Sequence, residues 1–450
     1  MWSFRSLILL FVFPFSVAAQ TTELDGISPD WSGLTVEISR YQNPISGEKI
    51  FLDLDTVDAS GEFKLSFDTD EIGQVWLSVN RFTAPLFVEP NGTYTIEISP
   101  SREFVLIPNW RPGSFEYIFT NLDSTDINAE IVKFDQTYFD FFTQNALLIG
   151  NSALRQKVKT FEANQENTKN EFLRDYVRYS LAEMKLTAGF PKNELYSTYL
   201  KDEKLKLTNP SFYSFFNIFY SNYFNRYDAK FGGTNISNQL AVGLSYSELD
   251  SLFLKDNFLQ REDIRQWVML KSIKETIYLK TYSGEKLIEL LNSIESKPHS
   301  ESIERAARKI RTDYERSVSA NLLELFPALK ELELSTKPTM VVVAQGSSNE
   351  WRRESSLLKV FLDEYGAYFQ VVEIVLGSKE QSEENWPSIQ LVSPEGLLND
   401  LDIYQLPWYG WMDSEGKLRK DIVKPSEGLE ERLYSIRAKA KEEQKIKVGQ

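Results

Sequence analysis

Between Pro338 and Phe361 the chain reads PTMVVVAQGSSNEWRRESSLLKVF. The apolar run MVVVA breaks at Gly346 into a polar turn, and an amphipathic helical pattern begins near Asn349. A strand feeding such a turn presents its residues to a helix N-terminus, where backbone N–H groups and the helix dipole favour negative charge. Thiols gain most from that position, because a lowered pKa creates the attacking thiolate. The chain has no cysteine. Ser347 and Ser348 stand in the turn instead, and a serine hydroxyl stays protonated near neutral pH unless a base activates it. Their expected task is to cap the helix. Arg352 and Arg353, with the helix-end amides, offer a place for an anion or a carboxylate.

Other reactive residue types are scarce or poorly spaced. His299 is the whole imidazole supply and lies in the polar stretch ESKPHSES, where an exposed loop residue is expected rather than a triad base. With no Cys and one His, the familiar zinc sites are excluded. Asp53, Asp55 and Asp58 near Gly61 only faintly suggest a calcium loop; their spacing misses the helix-loop-helix rule and their flanks read as strands. Glu380, Glu383 and Glu384 could in principle supply a glycosidase pair. They fall in the polar segment SKEQSEEN of a chain with 65 acidic residues, where adjacent acids are expected. No phosphate-binding glycine loop is present. NGT at Asn91 and NIS at Asn235 would be glycosylation acceptors only in a eukaryotic host.

The elements that must position these residues follow from composition and period. A chain of 450 residues, 42% apolar and 13% aromatic, supports packed cores in about three domains. Its net charge of −15 argues against a nucleic-acid partner. Arg5 precedes the apolar run LILLFVFPFSVAA, whose small residues Val17 and Ala19 predict signal cleavage before Gln20. The run is short for a span and contains Pro14, so no stable membrane anchor is expected after cleavage. Without cysteine, no lipid attachment at the cleavage point is expected either.

From about Leu34 to Ser99, LTVEIS, KIFLDL, GEFKLSF, QVWLSV and TYTIEIS alternate with period two between turn signals, predicting an antiparallel β-sandwich. From about Pro112 to Ser319 the period becomes helical. Within it PSFYSFFNIFYSNYF puts Phe212, Phe215, Phe216, Phe219, Tyr220 and Tyr223 on one broad face, expected as interior packing rather than a sugar-stacking surface. From about Leu322 strands and helices alternate: TMVVVA, a helix, FQVVEIVLG, a hairpin turning at DSEG, and a closing helix. The expected borders are 1–19 signal peptide, 20–108 β-sandwich, 109–320 all-α region and 321–450 α/β domain.

The last part resembles the thioredoxin-like domain of exported TlpA/ResA-type proteins. The resemblance rests on PTMVVVAQGSSNEWRRE, IYQLPWYGWMDSEGKL and PSEGLEERL. In that family the strand leads into a Cys-x-x-Cys turn followed three residues later by Glu. Placing Glu354 on that glutamate puts Ser348 and Trp351 where the cysteines would stand. Leu406-Pro407 then matches the family's cis-proline, and DSEGKL its hairpin tip. The segment ending in FVEPNGTYTIEI is similar to the N-terminal β-sandwich joined to such proteins in Bacteroidota, with a helical spacer between.

What the resemblance implies stops short of its chemistry. Thiol–disulfide exchange needs a thiolate, and neither Ser348 nor Trp351 supplies one. The expectation is a non-catalytic periplasmic protein, without cofactor or metal, that binds an envelope protein or peptide. Its groove would be lined by Arg352, Arg353, Leu406 and Trp408 beside Pro407, with Trp351, Trp408 and Trp411 as an aromatic wall. The alternative is capture of a carbohydrate or nutrient by the sandwich and the aromatic helix.

Overall fold

The computed structural model describes residues 21–79, 82–99, 113–149, 152–165, 168–232, 236–277, 283–295, 300–319, 322–325, 327–332, 337–344, 349–376, 386–391, 403, 406–413, 415–419, 425–426, 429–430 and 433–438. The expected signal segment 1–19, Asn235, His299, Ser347, Ser348 and the acidic cluster Glu380, Glu383 and Glu384 lie outside them.

The N-terminal strands are β1 (Thr21–Ile27), β2 (Thr35–Asn43), β3 (Glu48–Thr56), β4 (Glu62–Asp68), β5 (Gly73–Val79), β6 (Phe82–Val88), β7 (Thr93–Ser99), β8 (Gly113–Ser114) and β9 (Glu116–Phe119). They form two sheets, ordered β4-β1-β7-β9 and β3-β2-β5-β6-β8. Alternation decides what each strand buries: Phe63, Leu65 and Phe67 from β4 meet Val75, Leu77 and Val79 from β5 in one shared core. The strands run past the expected border at 108, to Phe119. The expectation of purely antiparallel pairing is corrected, because β1 runs parallel to β7 and β6 parallel to β8. Alternation reports which face a residue takes and is silent on strand direction. β1 also starts well before Leu34; TTELDGI turns Thr22, Leu24 and Gly26 inward, so only one core-facing position is a large apolar residue and no alternation announces it.

The acidic trio near Gly61 serves the backbone. β3 and β4 are the edges of different sheets. Asp53 Oδ2 accepts from the Ser66 N–H and Asp55 Oδ2 from the Lys64 N–H, each at 2.7 Å, so two carboxylates close the seam between the sheets. Asp58 Oδ1 accepts from Ser60 N and Glu62 N at 2.8 and 2.9 Å, ordering the tight turn between them. Among the described residues no cluster of three or more His, Cys, Asp or Glu is arranged to hold a metal.

The helical region comprises α1 (Ile127–Asn145), α2 (Ser152–Ala163), α3 (Glu171–Thr187), α4 (Lys192–Tyr199), α5 (Pro210–Phe219), α6 (Tyr223–Lys230), α7 (Ile236–Val242), α8 (Tyr246–Phe253), α9 (Glu262–Thr276), α10 (Gly284–Glu295), α11 (Glu301–Ser319) and α12 (Leu322–Leu325). Local chemistry fixes several starts: Asp126 and Asn209 cap α1 and α5, Pro210 occupies the first turn of α5, and Ser245 with Glu248 forms a capping box on α8. The aromatic face of α5 is interior: Phe212, Phe215, Phe216, Phe219 and Tyr220 are at most 1% exposed. None of the described helices is long and apolar enough to cross a membrane.

Several contacts lock the sheets to the helices. Asn128 of α1 donates to the Phe87 carbonyl and accepts from the Phe87 N–H, both at 2.8 Å, amid Phe87, Ile127, Ile131 and Leu173. The turn between β2 and β3 reaches further, and its Ile45 belongs to the helical core.

The C-terminal sheet is ordered β12-β11-β10-β13-β14, from β10 (Thr339–Ala344), β11 (Gln370–Leu376), β12 (Ser388–Leu391), β13 (Trp408–Met412) and β14 (Leu418–Arg419). β10, β11 and β12 are parallel, with α13 (Asn349–Tyr365) between the first two, while β13 is antiparallel to β10 and turns back into β14. Every residue of β10 and β13 is buried, as expected of strands covered on both faces. One face packs Leu322 and Leu329 over Val341, Val343 and Ile374; the other packs α13, Leu429 and Leu433 over Met340, Val342 and Tyr409.

Candidate functional site

The site expected from the sequence lies at the start of α13. Trp351 stands in its first turn and is 2% exposed. Its Nε1 donates to Glu373 Oε1 at 2.7 Å. Glu373 projects from the middle of β11 on the α13 side and is wholly buried. Its second oxygen accepts from Trp386 Nε1 at 3.1 Å. The two indoles meet nearly edge to face, centroids 6.1 Å apart, and Tyr409 lies 6.5 Å from Trp351. A buried carboxylate requires donors on its lone pairs, and each oxygen here has an indole N–H.

Three residues on, Glu354 is also wholly buried. Its oxygens accept from the Ser426 N–H at 3.0 Å and the Ser426 hydroxyl at 2.8 Å, and Arg353 lies 3.0 Å away. Burial pushes this carboxyl up, but the Ser426 hydrogen bonds and the Arg353 charge outweigh it and hold Glu354 below its ordinary value. The bonds tie the second turn of α13 to the segment leading into the closing helix. Neither carboxylate reaches solvent.

The expected groove is corrected on one point. Arg352 and Arg353 are exposed on α13, on one side of the sheet. Trp408 packs on the other side, with Val341, Val343, Met412 and the half-buried Leu406. Trp351 and Trp411 share the α13 side. The three tryptophans therefore form no common wall: positions 408 and 411 are three apart on one strand and must face opposite ways. The Leu406–Pro407 peptide is cis, and Pro407 is buried. Where Ser348 sits relative to Pro407 lies outside the described residues.

Sequence reasoning missed Glu373 and Trp386. The signal was a lone acid inside the apolar run QVVEIVL, which a buried parallel strand tolerates only with dedicated donors. It also missed an open cavity of about 500 Å³ lined by β2, β3, β5 and the start of α5, which no local pattern announces.

No family model matches the chain, and no curated protein matches it. Solved structures do. A thioredoxin-like protein studied in solution in its oxidised form is 20% identical, covering 24% of this chain and 84% of its own, with a TM-score of 0.20. A thioredoxin-like protein from Bacteroides caccae ATCC 43185 is 10% identical, covering 49% of this chain and 92% of its own, with a TM-score of 0.30. With TM-scores below 0.5, neither likeness carries an argument about this chain.

Proposed function

We propose that the chain is an exported, non-catalytic binding protein whose C-terminal unit is thioredoxin-like and has lost its redox site. The observation that carries this is Trp351, buried and bonded to Glu373 where the resolving thiol of a redox turn would stand, in a chain without cysteine. The parallel β10–α13–β11 unit followed by the β13–β14 hairpin supports the fold assignment. Clean protein should give no insulin reduction; any turnover overturns the non-redox reading.

Binding an envelope protein or peptide is the reading favoured by Arg352 and Arg353, which stand exposed at the start of α13 and suit an acidic partner. Cross-linking in the envelope should recover one defined partner with the native chain and lose it on Arg352→Glu with Arg353→Glu. A partner retained by that variant excludes this surface. A second reading, capture of a small ligand, is favoured by the cavity between the N-terminal sheets and the helical region.

A further inference from the structure

The cavity lies where β2, β3 and β5 meet α5 and α9, and its size suits a di- or trisaccharide. Tyr41, Trp76 and Tyr213 supply its rings. Tyr41 and Trp76 stand edge to face with centroids 5.9 Å apart, and Lys49 Nζ lies 5.0 Å from the Tyr41 ring. Burial raises the pKa of the Tyr41 and Tyr213 hydroxyls, which therefore remain protonated donors.

Charge is the second observation. The lining cations are Arg40 and Lys274; Glu71 lines the cavity and Asp70 pairs with Arg40, so the cavity charges balance where the chain as a whole carries −15. Arg40 is held by Asp70 at 3.9 Å, and Asp70 is 91% exposed, a geometry that constrains the guanidinium weakly. Third, the strands that carry Tyr41 and Trp76, β2 and β5, are internal, with neighbours on both sides. Where β2 and β5 form it, the wall presents side chains rather than a free backbone ladder, while β3, which also lines the cavity, is an edge strand.

We propose that this cavity binds a short acidic oligosaccharide, its pyranose faces on Tyr41 and Trp76 and a uronate carboxylate at Arg40 and Lys274. The inference rests on the ligand-capture reading and names its ligand class. Titration calorimetry of the full chain with trigalacturonate, and with maltotriose as the neutral counterpart, tests both. Trigalacturonate should bind saturably and more weakly as salt rises, with maltotriose at least about tenfold weaker. Arg40→Gln and Lys274→Gln should each weaken trigalacturonate by about tenfold, the worth of a charge-assisted hydrogen bond.

Gly73 provides the control for location. It lines the cavity, and a Cβ built there would meet no atom within 4 Å. Gly73→Leu therefore enters open space and should block binding while leaving the melting temperature unchanged. Should maltotriose bind as tightly and Gly73→Leu block it, the acidic assignment fails and ligand capture stands. Should trigalacturonate binding ignore all three substitutions, this cavity is not its site. Absence of saturable heat with either sugar overturns the inference, and a wider glycan and peptide panel that also fails at this cavity overturns ligand capture.

Discussion

Glu373 is a charge-bearing residue flanked in β11 by Val371, Val372, Ile374 and Val375, and it is tolerated because Trp351 and Trp386 bring an N–H to each oxygen. Trp351→Phe keeps a ring in place and removes one donor, so it should cost about 1.5–3 kcal/mol. Glu373→Leu leaves the buried Trp351 donor and the half-buried Trp386 donor without this acceptor and should cost about 2–4 kcal/mol. Urea unfolding reads both as a lower midpoint at unchanged slope; a neutral Trp351→Phe would mean that bond contributes nothing. Glu354 makes a pH prediction. Its folded-state pKa lies below the ordinary 4.5, so its stabilisation is fully present above that pH and is lost as pH falls through the folded value. The stability gap between the native chain and Glu354→Gln should hold down to about pH 4.5 and then close on further acidification, followed by unfolding across an acid series. A gap that widened toward acid would contradict the direction of the shift. At this scale the sequence was partly legible: Trp351 and Glu354 were singled out by the resemblance to a redox turn, whereas their partners Glu373 and Ser426 lie 22 and 72 residues away along the chain.

Among elements, α5 and β13 show what periodicity can and cannot deliver. The aromatic face of α5 was readable at helical spacing, and its burial makes it the nucleus of the helical core. Phe216→Ala should cost about 3–5 kcal/mol, since the ring is fully enclosed and its loss leaves a cavity. Thermal unfolding that shifted by under a degree would show the site collapsing onto the space. On β13 the same kind of counting, applied with period two, already places Trp408 and Trp411 on opposite faces. Grouping them by residue type overlooked that parity. The seam between β3 and β4 was illegible for a different reason. Asp53 and Asp55 announce acidity, but the N–H groups they satisfy belong to a strand in the other sheet. Only three-dimensional closure distinguishes that task from ion binding.

For the molecule as a whole, the order of the parts was legible from shifts in period, and their joints were not. Joints are built from single residues such as Asn128, whose amide satisfies both backbone groups of Phe87. Asn128→Ala strands a buried N–H and a buried carbonyl and should cost about 2–3 kcal/mol. Because that loss falls on the joint, calorimetry should show a broadened or divided transition where the native chain gives a narrower one. A sharp single transition at lower temperature would place the coupling elsewhere. Another joint is Ile45, at the tip of the β2–β3 turn, 2% exposed and seated among helices. That arrangement resembles a peg in a socket, and it sets how the gene can be cut. A piece beginning after Phe119 would carry the empty socket on its surface and tend to self-associate, so the helices need the first sheets as a companion rather than as a neighbour.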